Sequence, residues 1–325
     1  MRKWFYIFAL VLLACLSCKR MPLYDLELKK VILSLTLDLK IELDIDVDVD
    51  VDVEVEKTIK MPEHNKVLFY HPDNGQLLNS EFVGPTGGAI STSAGTYQMV
   101  VYSFGTEYTQ IRGEGNIETL EAFTSDITAT KSAALYACTR AIGDEPQGPI
   151  IYAPDHLLVA REYVVIPEQT MDSQEIVVYA SCKTIVETYS FEVHSVVGAE
   201  YIESCEAFVT NQARSSFFGL GKVSQQPATL SFPVGVNRKK GYLYTTFNTF
   251  GKLPGESRSF LHILIRDTGG KEHHFSTDIT DQFEKPDNHI VIEEEIDIPK
   301  PESSGGGIAP TVEQWDEEIH DVPIG

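Results

Sequence analysis

Residues 33–56 read LSLTLDLKIELDIDVDVDVDVEVE, with Leu, Ile or Val at every odd position and a polar residue at every even position. A period of two places all the apolar side chains on one face of an extended chain, as in a β-strand that buries one face. At about 3.3 Å per residue, one straight strand of this length would measure about 80 Å, far beyond ordinary strands. The sequence therefore predicts a β-protein in which this segment bends, extends past its sheet or pairs in pieces.

The second half of this segment carries a row of carboxylates on its polar face, namely Asp44, Asp46, Asp48, Asp50, Asp52, Glu54 and Glu56. Charged side chains along an exposed strand oppose edge-to-edge pairing with other chains. A calcium site would need oxygen ligands that converge from several directions, commonly on a loop with glycine. A one-sided ladder instead spaces its carboxylates about 7 Å apart. We interpret the row as a solvated face rather than a calcium site.

The remaining chain consists of short apolar or alternating runs separated by turn residues. An Asn-Gly step ends the turn at residues 71–75, and Gly84-Pro85-Thr86-Gly87-Gly88 forms the next turn. Short strands with frequent turns predict an all-β sandwich architecture. The predicted strands are residues 66–70, 76–83, 89–91, 96–103, 161–166, 174–180, 184–196, 199–210, 228–232, 241–249, 259–267, 271–277 and 289–298.

One short helical insertion interrupts the β pattern. Thr124-Ser125-Asp126 can cap a helix that continues through Ala133-Ala134-Leu135-Tyr136. The side chains of Ser, Thr and Asp accept hydrogen bonds from the free N–H groups of a first helical turn, which is why they favour that position. We predict no other helix in the mature chain.

The composition restricts the class of partner. The 325 residues include 26 basic and 48 acidic side chains, which gives a formal net charge of −22. A field of that sign repels phosphate backbones and anionic membrane surfaces, so we expect no nucleic-acid partner. Hydrophobic residues make up 42% of the chain, which is enough to build cores and excludes a wholly disordered protein.

The N-terminus has the pattern of a bacterial lipoprotein leader. Arg2-Lys3 precedes an apolar stretch from Trp4 to Leu16, which is too short to span a bilayer because a spanning helix takes about 20 residues. The stretch ends at Ala14-Cys15-Leu16-Ser17-Cys18, where a small residue precedes each cysteine. That arrangement is what lipoprotein signal peptidase requires.

Cys18 is the predicted lipidation residue, because the sequence turns polar immediately after it, at Lys19-Arg20. Cys15 is the alternative, with Ala14 before it. We predict a signal peptide over residues 1–17 and a tether over residues 18–32. The mature protein would then be held in the outer-membrane lipid by its N-terminal acyl chains, palmitate among them, and exposed at the cell surface.

No catalytic or metal-binding motif emerges from the sequence, and we predict neither enzymatic activity nor a cofactor. Three widely spaced cysteines remain, Cys138, Cys182 and Cys205. An odd number argues against a disulfide framework, so buried free thiols and a single bridge both stay open. His262 and His274 could meet across a hairpin, whereas His273 points to the opposite face. We interpret these histidines as surface residues and predict no metal site.

The C-terminal segment combines a flexible spacer with apolar residues. Residues 300–307 are rich in Pro, Ser and Gly, a composition typical of linkers. Beyond the spacer, apolar side chains stand among acidic ones, which suggests a segment that docks onto another surface, although a plain disordered terminus fits the pattern as well. The candidate anchors of such a segment are Val312, Trp315, Ile319, Val322 and Ile324.

Several of these motifs together resemble the fimbrillin-like lipoproteins of Bacteroides-type gut bacteria, and more narrowly an uncharacterised domain family among them. The resemblance is carried by the leader, by the strand and turn from Pro62 to Pro72, by Gly84-Pro85-Thr86-Gly87-Gly88, and by Ala94-Gly95-Thr96-Tyr97. The run Thr188-Tyr189-Ser190-Phe191-Glu192-Val193 and the terminal Gly-Gly-Gly with Val312-Glu313-Gln314-Trp315-Asp316 also fit it.

The resemblance implies an all-β fold of two tandem transthyretin-like, Greek-key β-sandwich domains with the short helical insertion. We place an N-terminal domain at residues 33–178, a C-terminal domain at 179–299 and a flexible acidic tail at 300–325. It also implies a structural, anchor or tip subunit of a fimbrium (pilus), with a role in cell adhesion. Its partners would be other fimbrial subunits or further copies of itself, with host or bacterial surface ligands as an additional class.

Such subunits assemble by β-strand addition, in which a strand of one subunit fills a groove of the next. The resemblance makes residues 33–56 the candidate removable strand and residues 308–324 the candidate donor. Polymerising relatives are cut after an arginine, yet no arginine lies between Arg20 and Arg112, and the basic residues considered for a trypsin-like cut are Lys29-Lys30, Lys40 and Lys57. An uncut anchor therefore stays open, as does a lipid-anchored glycan- or protein-binding module that does not polymerise.

Overall fold

The computed structural model describes residues 28–41, 58–142, 148–168, 175–253, 255, 258–283, 285 and 288–301, with the side chains of Ala134 and residues 137–142 excepted. Within these residues the chain is almost entirely β-structure, which confirms the predicted fold class. The first half contains β1 Lys29–Leu37, β2 His64–Tyr70, β3 Leu77–Val83, β4 Gly87–Thr92, β5 Gly95–Phe104, β6 Thr109–Arg112, β7 Glu121–Thr124, α1 Ala129–Ile142, β8 Ile150–Tyr152, β9 Leu158–Ile166 and β10 Ile176–Thr184.

The second half contains β11 Glu187–Val193, β12 Val196–Val197, a 3-10 turn at Ala199–Tyr201, β13 Ile202–Ala213, β14 Ser215–Phe217, β15 Lys222–Val223, β16 Pro227–Pro233, β17 Gly235–Asn237, β18 Tyr242–Thr249, β19 Phe260–Asp267, β20 Glu272–Asp278, β21 His289–Ile292 and β22 Ile296–Asp297.

Strands of the first half form a seven-stranded sheet in the order β3-β2-β5-β9-β10-β1-β4. The ladder between β9 and β10 is limited to two residue pairs, and at the other end β3 meets β4 through a bridge between Gly84 and Gly87. The sheet therefore closes on itself as a sandwich with two leaves, β3-β2-β5-β9 and β10-β1-β4. Between the leaves lies the N-terminal core, which includes Val31, Leu33, Leu35, Val67, Phe69, Tyr97, Met99, Val101, Leu158, Val164, Ala180 and Cys182.

Strands of the second half supply a five-stranded sheet, β20-β19-β13-β16-β8, and a four-stranded sheet, β17-β18-β11-β21. Inward side chains of both sheets share one cluster, as in a β-sandwich. Phe232 on β16 stacks on Phe247 of β18 with ring centroids 4.3 Å apart, so the two sheets are joined through aromatic contact. This C-terminal core includes Phe191, Val193, Cys205, Ala207, Val209, Leu230, Phe232, Leu243, Phe247, Leu261, Ile263, Ile265 and Ile290.

The two halves interlock through short strands and a shared apolar cluster. A four-stranded sheet in the order β15-β14-β7-β6 combines strands from both halves, and β8 pairs in parallel with β16. Tyr102 of β5 makes an edge contact with Phe218, with ring centroids 5.5 Å apart. Tyr70 and Phe250 belong to the same buried cluster.

The predicted domain boundary between residues 178 and 179 falls inside β10. That strand keeps its ladder with β1 as far as Cys182 and with β9 as far as Thr184, so a boundary after Thr184 fits the pairing better. The division into two domains stays a prediction, because β8 and β14 each pair with a strand from the other half.

The predicted helical insertion is confirmed as α1, but the predicted cap is wrong. Thr124, Ser125 and Asp126 bond to β8 instead: the Thr124 hydroxyl donates to the Tyr152 carbonyl over 2.6 Å, and the Tyr152 N–H donates to the Ser125 carbonyl over 3.2 Å. The helix consequently begins at Ala129. In the described part of the chain, no helix has the length and apolarity to cross a membrane.

Candidate functional site

β1 lies between β10 and β4, and we call the space it occupies the β1 slot. It pairs in parallel with β10, from Val31 opposite Ile176 to Leu37 opposite Cys182. On its other edge it pairs antiparallel with β4, through Ser34 opposite Gly87. Because both edges of β1 are hydrogen-bonded, its departure would leave an unpaired edge on each neighbouring strand, which is a template for another strand.

The side chains of β1 alternate between the N-terminal core and the surface, as the period of two predicts. Val31, Leu33 and Leu35 are 0%, 1% and 6% exposed, whereas Thr36 is exposed and Ser34 half-buried. Burying one such apolar side chain stabilises a fold by about 1.5–3 kcal/mol. β1 therefore contributes a substantial part of the core it completes, and an empty slot would expose apolar surface.

The Gly-Pro-Thr-Gly-Gly segment is a turn, as predicted, and it brings β4 close to β1. Gly87 has a φ of 107°, and a Cβ atom placed there would lie 2.0 Å from the Leu33 carbonyl oxygen. The Leu35 N–H donates to the Thr86 carbonyl over 3.0 Å. The Asn65 side chain donates to the carbonyl of Gly84 over 3.0 Å and so fixes the turn. Only glycine fits position 87 while β1 occupies the slot.

The predicted alternating strand at 33–56 differs from the observed one in both bounds, because β1 begins at Lys29 and ends at Leu37. Lys40 forms an antiparallel bridge with Thr58, and the Ile59 N–H donates to the Leu39 carbonyl over 2.8 Å. The chain has therefore reversed its direction between these residues, so the segment is not one straight strand. The row of carboxylates from Asp44 to Glu56 lies outside the described residues.

The lysines that a trypsin-like protease could use differ in their accessibility. Lys29 and Lys30 pair with Thr92 and Ser91 of β4. While the backbone of this segment is paired in the sheet, a protease cannot bind it as an extended substrate. Lys40 is exposed and lies after the last residue of β1. Lys60 is also exposed and precedes β2, so a cut after either Lys40 or Lys60 would separate β1 from the rest of the fold.

Other predicted site residues lie outside the described residues. These are the lipidation residue Cys18, its alternative Cys15, and Lys57. The candidate donor-strand anchors fall in the same category, namely Val312, Trp315, Ile319, Val322 and Ile324. Their roles stay predictions.

Cys182 and Cys205 are both free and buried, which confirms free thiols at these two positions. Cys182 lies in the N-terminal core and Cys205 in the C-terminal core. Burial raises the pKa of the Cys182 thiol to about 11 and that of Cys205 to about 12. Neither thiol is activated as a nucleophile, because the reactive form is the thiolate. The side chain of Cys138 lies outside the described residues.

His262 and His274 meet across the β19–β20 hairpin, with His274 Nε2 3.3 Å from His262 Nδ1. The interpretation of His262 as a surface residue is wrong, since it is fully buried. Like Leu264, it lies on the sheet face that α1 covers. His273 instead contacts the Asp267 carboxylate over 2.9 Å. Across the described ranges, no three His, Cys, Asp or Glu side chains converge in a group that could hold a metal ion.

Sequence reasoning missed Val31 and the pairing of β1 with β4 and β10, although strands had been predicted at both of those places. Val31 precedes the strictly alternating stretch, and Ile32 beside it conceals the period of two. The pairing of β1 with β10 joins segments that are far apart in the chain, so no local pattern predicts it. The closest available signal was the pair Gly87-Gly88, because glycine in a strand often marks the close approach of another backbone.

Comparisons of sequence and of structure identify similar proteins from Bacteroides ovatus. The chain is 23% identical over 306 residues to a Bacteroides ovatus protein provisionally named fimbrium anchoring subunit Fim4B, and the match covers 82% of this chain and 86% of that protein. A crystal structure of a provisionally assigned adhesin from Bacteroides ovatus shares the fold. Its TM-score is 0.57 at 21% identity, with 85% of this chain and 94% of the other covered.

A second solved structure and a family model also match the chain. The fimbrial anchor protein Mfa2 from Porphyromonas gingivalis matches with a TM-score of 0.44 at 14% identity, over 78% of this chain and 83% of the other. Residues 38–233 match the model of a family that is described as a domain of unknown function, DUF5119. The matched range begins one residue after β1 and ends with β16.

Proposed function

The chain belongs to the DUF5119 family, and from that premise we propose that it is a fimbrial anchoring subunit at the bacterial cell surface. It would be held in the outer membrane through acylated Cys18 and would join other fimbrial subunits by β-strand addition. The observation that carries this proposal is the position of β1, which fills a slot between two strands and completes the N-terminal core. The name of the Bacteroides ovatus relative points to the same role.

The β1 slot supports assembly by strand addition for a physical reason. In a subunit that loses this strand, an incoming strand would gain two ladders of backbone hydrogen bonds and three apolar pockets, which β1 itself fills in this chain with Val31, Leu33 and Leu35. Backbone bonds give such complexes affinity, and pockets for alternate side chains give them specificity. The acidic row that follows β1 in the sequence would oppose unregulated pairing.

An anchor, rather than a shaft subunit, is favoured by the basic residues around β1. No arginine is present between Arg20 and Arg112, and Lys29 and Lys30 are paired in the sheet. A subunit that keeps β1 cannot accept a strand in that slot. It would therefore be the last subunit of the fimbrium on the membrane side. Its own C-terminal segment, residues 308–324, would be the donor strand for the next subunit.

Mass spectrometry of the protein isolated from its own membranes tests the anchor proposal. We expect a mature N-terminal peptide that carries acyl chains on Cys18 and continues unbroken through residues 29–40. A mature chain that begins beyond Lys40 would show that β1 is removed and would contradict the anchor role. An unmodified Cys18 thiol with Cys15 acylated would move only the lipidation site.

The donor segment requires a separate test. The chain truncated after Glu302 should lose its heat-stable complexes with other fimbrial subunits on gels, while it retains lipidation and surface exposure. A matched variant with Trp315 and Ile319 changed to Asp in the full-length chain should behave like the truncation. Intact complexes in both variants would contradict the donor role of residues 308–324.

A second candidate is a lipid-anchored module that binds a glycan or a protein without polymerising. The observation in its favour is a pair of exposed apolar side chains on the outer face of β9, Tyr163 and Val165, which are 66% and 63% exposed. Clustered apolar surface of this kind often marks a binding face. Full-length protein that never forms complexes with fimbrial subunits in cells would favour this candidate over the anchor.

A further inference from the structure

Three consecutive basic residues, Arg238, Lys239 and Lys240, lie in the turn between β17 and β18, and all three are exposed. No longer run of Lys or Arg occurs in the sequence, whose formal net charge is −22. We call these three residues the basic turn. Clustered charges of one sign create a local field that attracts groups of the opposite sign. On this acidic chain, the basic turn is therefore a candidate site for an anionic segment.

Hydrogen bonds hold the basic turn at one end of the C-terminal sandwich. The Arg238 guanidinium donates to the Ile202 carbonyl through two nitrogens, over 3.1 and 2.9 Å. The Lys240 N–H donates to the Asn237 side chain over 3.2 Å, and the Gly241 N–H donates to the Asn237 carbonyl over 3.0 Å. Because the backbone of the turn is fixed in this way, its charges are held at one place on the surface.

The last described strand lies next to this turn. The Val196 N–H of β12 donates to the Gly241 carbonyl over 2.9 Å, and on its other edge β12 pairs in parallel with β22, Val196 opposite Ile296. β22 is therefore two strand spacings, about 10 Å, from the basic turn. Beyond β22, Pro301 lies against the β19–β20 turn, 2.9 Å from the position that a Cβ atom on Gly269 would take. Residues 302–325 thus start at the end of the sandwich that carries the basic turn.

The residues that follow Pro301 have the complementary charge. Residues 302–325 contain six acidic side chains and no Lys or Arg. Asp316-Glu317-Glu318, which we call the acidic run, is as long as the basic turn and directly follows Trp315. The 14 residues from 302 to 315 can extend over about 45 Å. The acidic run can therefore reach the basic turn without a fully extended connection.

We propose that the basic turn is a docking site for the C-terminal segment of the same chain, with the acidic run against Lys239 and Lys240. Val197 is 49% exposed on β12, between the basic turn and β22, and provides apolar surface for Trp315. Docking holds the proposed donor segment, residues 308–324, on its own subunit until the slot of another subunit competes for it. This last role rests on the proposed function, whereas the docking itself does not.

Covalent connection favours this occupant over a separate acidic protein. Exposed charge pairs are individually weak, because water and salt screen them. A short flexible connection gives a tethered segment an effective concentration in the millimolar range, at which even a weak site is occupied. A separate protein would need further contacts to reach the same occupancy. The same weakness allows release, because a strand slot with two backbone ladders binds the segment more strongly than a few exposed charges do.

Quenching of Trp315 fluorescence by acrylamide tests the docking, because the only other tryptophan of the sequence, Trp4, lies in the predicted leader. The mature lipoprotein in non-ionic detergent is compared with a synthetic peptide of residues 302–325. At low salt we expect a quenching constant for the protein of at most about half that of the peptide, because docking shields the indole. At about 0.5 M NaCl the two constants should approach each other, since salt screens the exposed charges.

Charge-reversal variants locate the docking site. The double variant Lys239→Glu/Lys240→Glu should raise the low-salt quenching constant about twofold, to the high-salt value of the wild type, because its turn repels the acidic run. Adding Glu317→Lys/Glu318→Lys to that variant should restore the low quenching constant, since the two signs are then exchanged. Both lysines of the basic turn are exposed, so all of these variants should fold.

The matched control is Lys183→Glu/Lys222→Glu, which makes the same change in net charge at two exposed lysines on β10 and β15 and should quench like the wild type. Equal quenching of the wild type and Lys239→Glu/Lys240→Glu at low salt would overturn the proposal. So would protection of Trp315 that disappears on dilution, which would assign the basic turn to a second copy. Binding of the turn to lipid A vesicles with Trp315 fully accessible would assign it to membrane phosphates instead. These measurements use the isolated protein, so they are independent of whether fimbrial complexes form in cells.

Discussion

The N-terminal and C-terminal cores are built from similar strands, yet they are closed in different ways. The N-terminal core takes Val31, Leu33 and Leu35 from β1, a strand near the start of the described chain whose partner β10 is distant in sequence. The C-terminal core takes Ile290 and Ile292 from β21, which is also distant in sequence from its partner β11 but lies at the edge of its sheet and pairs there on one side. Moving β1 would therefore unpair two neighbouring strands, β10 and β4, whereas moving β21 would unpair β11 alone.

A charged side chain in the β1 slot should have the largest effect on the stability of the N-terminal core. Leu33→Asp places an unpaired carboxylate at a position that is 1% exposed, and we expect it to lower the free energy of unfolding of the N-terminal sandwich by about 5 kcal/mol. Urea unfolding, with protection of Cys182 and Cys205 read separately, measures each core. Thr36→Asp, on the exposed face of the same strand, is the control and should change little.

Exposure of Cys205 as readily as Cys182 in Leu33→Asp would contradict separate unfolding of the two cores. That result would mean that the two cores unfold as one unit and that β1 supports both of them.

The close approach of β4 to β1 predicts the next largest effect. Gly87→Ala should lower the free energy of unfolding by about 2–3 kcal/mol, because the new Cβ atom collides with the Leu33 carbonyl in a left-handed backbone. Gly105→Ala is a matched control, since Gly105 has a φ of 100° and nothing lies within 4 Å of its Cβ position. It should cost about 1 kcal/mol from backbone strain alone. Similar costs for both variants would exclude a steric role for Gly87.

Acid should weaken the C-terminal half through His262. Burial, with a smaller contribution from His274, lowers the pKa of His262 to about 4. The unfolded chain binds a proton near pH 6.5 and the folded one does not, so stability is complete above about pH 6.5 and falls as the pH approaches 4. We expect a loss of about 2 kcal/mol between pH 7 and pH 4.5, and a flatter profile in His262→Phe. An unchanged slope in His262→Phe would assign the acid sensitivity to other groups.

The smallest effect concerns the exposed side chains of β9 and β10. Tyr179→Ser should change the free energy of unfolding by less than about 0.5 kcal/mol, because Tyr179 is 75% exposed. Thermal unfolding measures it, and Tyr97→Ser, in the buried N-terminal core, provides the contrast. A cost above 1 kcal/mol for Tyr179→Ser would reveal an unexpected structural contact.

Local patterns in the sequence predict much of this fold. The predicted strands at 96–103 and 259–267 differ from β5 and β19 by one residue at most at each end, because their alternation and flanking turns are contained in the strands themselves. The tripeptide strands β8 and β14 were missed, because three residues are too few to show a period. These are the strands that join the two halves, so the domain boundary was the weakest prediction.

The candidate sites were predictable only in part. The alternating stretch predicts that a strand buries one face, but its place between β4 and β10 depends on pairing between distant segments. The sequence also predicts that His262 and His274 meet, whereas the burial of His262 follows from the position of α1, which is set by tertiary packing.

Thiol labelling of Cys182 and Cys205 tests most directly whether β1 alone closes the N-terminal core. Both thiols should resist iodoacetamide in the intact chain. In the chain that begins after Lys40, Cys182 should react while Cys205, in the C-terminal core, stays protected as the internal reference. An added peptide of residues 29–40 should restore protection of Cys182, and the same peptide with Leu33→Asp should not. Protection of Cys182 without β1, or equal labelling of both cysteines, would contradict the claim that β1 alone closes the N-terminal core.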